Sequence, residues 1–133
     1  MRRRGLGVAA GLGAVLLAAG CGTGGVAAGH PDVANGKKLF TGVAQCAACH
    51  TLADAGTAGT IGPNLDNAFR ADRQQGFSQN AIENVVLDQI RLGSGSVTGR
   101  TPMPAGLVKG QDALDVAAYV ASVAGTGPAA SAP

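Results

Sequence analysis

The sequence contains no tryptophan, and aromatic residues make up only 3% of its 133 residues. Charged residues are also scarce, at 14%, and they form no long block of one sign. This distribution excludes the basic patch of a nucleic-acid-binding domain, so we expect no nucleic-acid partner. The sequence has three cysteines, and because an odd number cannot all be paired, a simple framework of disulfides is excluded. A chain of this length is suited to one small domain and leaves no room for a large two-domain enzyme.

The N-terminal segment has the order of a secretory signal peptide. Three arginines at positions 2–4 precede an apolar stretch, residues 5–20, which ends at Cys21. The stretch has 16 residues, fewer than the roughly 20 of a membrane-spanning helix. Residues 17–21 also resemble the lipobox of bacterial lipoproteins, in which cleavage precedes a cysteine that then receives a lipid. The resemblance implies lipidation of Cys21, with a retained N-terminal anchor as the alternative.

The composition of the remaining chain indicates one folded domain with a flexible segment at each end. Residues 21–31 are mostly Gly, Ala, Thr and Val, which predicts a flexible tether. Residues 125–133 are small and Pro-containing, which predicts a flexible tail. We therefore assign residues 1–20 to a signal peptide and residues 32–124 to the folded domain. The domain is expected to be exported and held at the outer face of the cytoplasmic membrane, or to lie in the periplasm.

Three helices are predicted within the domain, at residues 32–40, 78–92 and 111–124. On the second helix, a stripe at helical spacing is predicted to be buried: Ile82, Val85, Val86 and Ile90. No segment alternates like a strand, so the expected fold class is all-α. Residues 51–76 and 93–110 fit no element, and loops of this length are unusual in a compact domain. The three predicted helices provide only a small hydrophobic core, and small domains usually need further stabilisation. We therefore predict that the loops enclose a large apolar group.

A motif next to the first predicted helix identifies that apolar component. Cys46, Cys49 and His50 form the pattern C-x-x-C-H, the attachment sequence of c-type haem. Two thiols at this spacing can form thioethers to the two vinyl groups of one porphyrin. The adjacent histidine then supplies a nitrogen ligand to the iron. The sequence therefore predicts one covalently bound haem c.

Three other uses of these cysteines fit the sequence less well than haem attachment. A zinc site needs four nitrogen or sulfur ligands, and only His30 and Cys21 remain, both outside the predicted domain. A thioredoxin-like redox pair needs a strand–helix–strand context that the sequence lacks. A disulfide between Cys46 and Cys49 would leave His50 without a role.

A second iron ligand is predicted in the long loop that follows the second helix. Once residues 1–20 are removed, Met103 is the only methionine, and prolines flank it on both sides. The prolines restrict the backbone, and a soft thioether is a suitable haem ligand that raises the reduction potential. A packing role for Met103 is the alternative, and His30, in the tether, is the rival ligand.

Taken together and in this order, the motifs resemble those of class I monohaem cytochromes c. The matching positions are Gly36 and Phe40 in the first helix, Tyr119 in the last helix, the segment Gly62-Pro63-Asn64-Leu65, and Met103-Pro104. The resemblance implies that the first and last helices cross, with Gly36 allowing close approach. It also implies that the carbonyl of Pro63 accepts a hydrogen bond from His50.

The resemblance implies a small cytochrome c-like fold in which long loops surround the haem. The function expected is transfer of single electrons between respiratory-type partner proteins, by a domain that is a monomer and not an enzyme. A cytochrome subunit of a dehydrogenase or oxidase is the alternative, and a haem sensor or peroxidase would need an open iron site. Gly93-Ser94-Gly95 lacks the strand–helix context of a nucleotide loop. Arg70, Arg73 and Arg100 are candidate partners of the haem propionates on grounds of charge.

Overall fold

The computed structural model describes residues 29–95 and 101–127. In chain order, the elements are α1 (Val33–Thr41), α2 (Cys46–Cys49), β1 (Thr51–Leu52), a 3-10 helix (Ala53–Ala55), β2 (Thr57–Ala58), α3 (Arg70–Gln74), α4 (Gln79–Leu92) and α5 (Gly110–Val123). The prediction of an all-α class with three main helices is confirmed. Within the described ranges, no helix has both the length and the apolar character needed to cross a membrane. Cys21, Arg100 and the predicted signal peptide lie outside the described residues.

The stretches predicted to lack regular structure contain short elements. The expectation of no strand was wrong, since β1 and β2 pair antiparallel, with Thr51 opposite Ala58 and Leu52 opposite Thr57. A strand of two residues is too short to show alternation, and α2 and α3 are too short to show a helical period. These elements fold the chain between the haem motif and α4 without adding much core.

The first and last long helices cross each other in close contact. A Cβ atom built on Gly36 would overlap the backbone oxygen of Asp115 and lie 2.8 Å from Cβ of Tyr119. The rings of Phe40 and Tyr119 meet edge to face, with centroids 5.8 Å apart. Close approach therefore explains a glycine in mid-helix, where it costs about 1 kcal/mol relative to alanine.

Helix α4 packs against α5 and carries one buried face. Ser78 caps its N-terminus by accepting a hydrogen bond from the N–H of Ala81, at 3.2 Å. The buried face consists of Ile82, Val86, Leu87 and Ile90. The prediction that Val85 is buried was wrong, because its side chain is 46% exposed while Leu87 is almost fully covered. Both residues flank the same apolar stripe, and the direction in which α4 meets α5 decides which one is enclosed.

Helix α5 is the centre of the core. Its residues from 113 to 121 are all buried, and it contacts both α1 and α4. Asp115 is the one charged residue among the buried side chains of the described chain. The helices lie around α5, and the loops between them enclose a pocket on one side.

Candidate functional site

The haem motif forms a short helix that begins from a strained backbone. Gln45 precedes α2 with φ of 56°, in the left-handed region. Cys46 is buried, Cys49 is half-buried, and both are free thiols. Burial, together with the neighbouring Cys49, raises the pKa of the Cys46 thiol to about 11. Cys46 is therefore a protonated thiol at neutral pH before any bond is made to it.

His50 follows α2 in an extended conformation, and its ring is held by the segment around Pro63. Its Nδ1 lies 2.8 Å from the carbonyl oxygen of Pro63. A carbonyl oxygen only accepts, so Nδ1 must carry the proton, and Nε2 keeps a free lone pair. A metal-bound histidine usually donates its other ring N–H to an acceptor such as a backbone carbonyl, and His50 has this arrangement.

Gly62 lets this segment lie flat against the imidazole. A Cβ atom on Gly62 would lie 2.5 Å from Cε1 of His50, so a larger residue would displace the ring. The N–H of Gly62 also donates to the carbonyl oxygen of Cys49, at 2.8 Å. Gly62 is not among the glycines with a positive φ, so glycine is required here for space rather than for backbone conformation.

The loop that contains Pro63 is fastened to the residues that follow His50. The carboxylate of Asp66 accepts from the N–H of Ala53, at 2.9 Å and 3.1 Å from its two oxygens. The N–H of Leu65 donates to the carbonyl oxygen of Thr51, at 2.9 Å. Thr57 donates its hydroxyl to the carbonyl oxygen of His50, also at 2.9 Å. These bonds fix the position of Pro63 relative to the ring.

One apolar pocket of about 440 Å³ brings the predicted site residues together. Its lining includes Cys46, Cys49, His50, Pro63 and Met103, which come from widely separated parts of the sequence. Phe40, Val116 and Val120 contribute from α1 and α5, and Ile90 from α4. No charged side chain lines it within the described residues. A large apolar cofactor joined through two thiols, with an imidazole and a thioether as ligands, fits this donor set and this lining.

Two predicted propionate partners and the rival iron ligand lie elsewhere. Arg73 donates from Nε to the carbonyl oxygen of Ala124, at 2.8 Å, and from Nη2 to that of Ala121. Arg70 donates to the carbonyl oxygens of Asp66 and Gly127. Neither arginine lines the pocket. Arg73 instead holds the carboxyl end of α5, and Arg70 holds the segment that follows it. His30 is exposed beside Gln111 and is also absent from the lining.

Sequence reasoning missed the residue that lies against the backbone of Met103. Ser94 follows α4, lines the same pocket and is hydrogen-bonded to Met103. The only signal in the sequence is the small-residue segment Gly93-Ser94-Gly95, which lacks the strand–helix context of a nucleotide loop. A contact between residues nine positions apart in an irregular loop leaves no periodic pattern in a sequence.

The site therefore defines a c-type haem protein, and comparison with known proteins names its family. Residues 33–124 match the family model of cytochrome c, so the chain belongs to the cytochrome c family and carries covalently bound haem c. The chain is also similar to the c-type cytochrome SorU from Sinorhizobium meliloti. That likeness has 33% identity over 70% of this chain and 91% of that one, with a TM-score of 0.43. Comparison with curated protein sequences finds no significant match.

Proposed function

We propose that the chain is a single-electron carrier of the class I type, with iron ligated by His50 and Met103. Membership of the cytochrome c family supports haem-based electron transfer between redox partners. The observation that carries the ligation is the shared pocket, which is lined by both side chains and by both cysteines. If His50 and Met103 both hold the iron, the metal would keep no free site for a substrate, which favours a carrier over an enzyme.

When bound, haem supplies an iron centre that accepts and releases one electron. Cys46 and Cys49 attach it through thioether bonds. His50 offers Nε2, since its Nδ1 proton is directed to the carbonyl oxygen of Pro63. Met103 offers a thioether, which favours the ferrous state and so raises the potential relative to a second imidazole. The uncharged lining excludes water and disfavours the extra positive charge of the ferric state.

The first test is optical spectroscopy of the protein made with haem-maturation machinery. The ferric form should show the weak charge-transfer band of a methionine-ligated iron, and Met103→Ala should remove it while covalent haem remains. Retention of the band in Met103→Ala would contradict the ligation, and rapid binding of carbon monoxide by the wild-type protein would favour a sensor or peroxidase. Protein without covalent haem would contradict the role of Cys46 and Cys49.

We also propose that Cys21 is lipidated after removal of residues 1–20, which would tether the domain to the outer face of the cytoplasmic membrane. The support is the lipobox-like segment and the Gly/Ala-rich tether that follows it. Mass spectrometry of the mature chain should show a diacylglyceryl group on Cys21, and Cys21→Ser should release the haem domain from the membrane fraction. An N-terminus that begins before residue 21, with Cys21 unmodified, would instead identify a retained anchor.

A further inference from the structure

The segment Gly93-Ser94-Gly95 lies directly against the backbone of Met103. The N–H of Met103 donates to Oγ of Ser94, at 2.8 Å. The N–H of Ser94 donates in return to the carbonyl oxygen of Met103, at 3.2 Å. Ser94 is therefore hydrogen-bonded to both the N–H and the carbonyl oxygen of Met103. Both residues line the haem pocket.

Gly93 makes this approach possible at the end of α4. Its φ is 67°, in the left-handed region, and its N–H still donates to the carbonyl oxygen of Gln89. A Cβ atom there would lie 2.5 Å from the carbonyl oxygen of Met103, so both the conformation and the contact require glycine. The N–H of Gly106 donates to the carbonyl oxygen of Ile90, at 2.7 Å. The methionine loop is thus bound to the end of α4 at Met103 itself and again at Gly106.

We propose that Ser94 is a positioning residue that controls how readily the Met103 thioether leaves the iron. The inference rests on the proposed ligation by His50 and Met103. A methionine side chain has three rotatable bonds and only a soft sulfur donor, so its retention depends on a fixed backbone. Helix α4 is fixed by its buried face, and Ser94 transmits that fixed position to the loop.

The test measures the binding of imidazole to the ferric holoprotein at saturating imidazole, where departure of Met103 limits the rate. Ser94→Ala should raise this rate about fivefold, the effect expected for loss of one hydrogen bond. The charge-transfer band should remain but weaken. Ser94→Thr keeps the hydroxyl and should restore a rate within about twofold of the wild type.

Ser78→Ala is the matched control, because Ser78 caps the opposite end of the same helix. Its Oγ also accepts a backbone N–H, from Ala81 at 3.2 Å, and it is absent from the pocket lining. Both alanine variants should lower the melting temperature, but only Ser94→Ala should accelerate imidazole binding. An equal acceleration in both would assign the effect to general loosening and overturn the proposal.

Two further outcomes separate this proposal from the function on which it depends. An unchanged imidazole rate in Ser94→Ala, with the band present in the wild type, would overturn the role of Ser94 alone. Absence of the band from the wild-type holoprotein would overturn the ligation by Met103 and this role together.

Discussion

The helix crossing and the pocket walls are held together in different ways. Where α1 meets α5, contact comes from a glycine against backbone and from the aromatic pair of Phe40 and Tyr119. The loops that complete the pocket are instead held in place by hydrogen bonds from short polar side chains, such as Asp66 and Ser94. Changes in the crossing should therefore mainly destabilise the domain, whereas changes in the loops around the pocket should mainly alter the haem environment.

Asp115 is the exception within the crossing. It is only 3% exposed and accepts hydrogen bonds from the side chains of Asn35 and Gln111 and from the N–H of Asp32. Burial raises its pKa, but these three donors outweigh burial and hold the pKa below the ordinary value of 3.8. The carboxylate thus joins the start of α1 to α5 through hydrogen bonds.

The largest effect on stability is expected from adding a side chain at the point where α1 and α5 cross. Gly36→Ala should lower the free energy of unfolding by more than about 3 kcal/mol, because the new Cβ overlaps the backbone of α5. Gly127→Ala is the control, since a Cβ there meets nothing within 4 Å. Thermal unfolding of the two holoproteins measures the difference. A Gly36→Ala protein as stable as the control would contradict the packing of the two helices.

Removal of the buried carboxylate should have the next largest effect. Asp115→Ala leaves the donors of Asn35 and Gln111 without their acceptor and should cost about 2–3 kcal/mol at neutral pH. Asp115→Asn should cost less, because one oxygen still accepts. Chemical denaturation at pH 7 measures both. Equal losses in the two variants would show that charge, rather than hydrogen bonding, makes the contribution.

A change in the pocket wall should act on the haem more than on the fold. Gly62→Ala should shift the reduction potential, since the new Cβ would displace the His50 ring from its bond to Pro63. The expected loss of stability is about 1–2 kcal/mol. Potentiometry and thermal unfolding together test this. An unchanged reduction potential together with a large loss of stability would contradict this prediction. It would show that Gly62, like Gly36, acts on the fold rather than on the haem.

The smallest effect is expected at the surface beside the crossing. Asp54 accepts from Lys37, at 2.9 Å, and from the hydroxyl of Tyr119, at 2.7 Å. These bonds, Lys37 first, hold the pKa of Asp54 below its ordinary 3.8. Because both Lys37 and Asp54 are nearly half exposed, Lys37→Ala should cost only about 0.5 kcal/mol after solvent screening.

The sign of the pH dependence follows from that lowered pKa. Stability from the ionised Asp54 is complete above its ordinary pKa of 3.8 and is lost as the pH falls through the lower folded value. The difference in melting temperature between wild type and Lys37→Ala should therefore shrink from pH 6 to pH 3. Lys38→Ala, the neighbouring exposed lysine on α1, is the control. A difference that grows toward pH 3 would contradict the assignment.

Prediction from the sequence succeeded where the signal was local or periodic. The bounds of the three long helices agreed to within one residue, because caps and stops such as Asp32, Ser78 and Gly93 are local signals. Burial on α4 was only partly predicted, since Val85 and Leu87 fit the stripe equally well until α5 is placed. The short elements between α2 and α4 were missed because strands of two residues and helices of three to five residues are too short to show a period.

The sequence by itself determined the covalent chemistry, because C-x-x-C-H places two thiols and an imidazole together within five residues. It also determined the helical class, through hydrophobic period and capping. Only the tertiary structure decided which side chains share the pocket, that Arg70 and Arg73 are engaged at the end of α5, and that Ser94 holds Met103. Those contacts join residues far apart in the chain or in irregular loops, and their distances depend on how the helices pack.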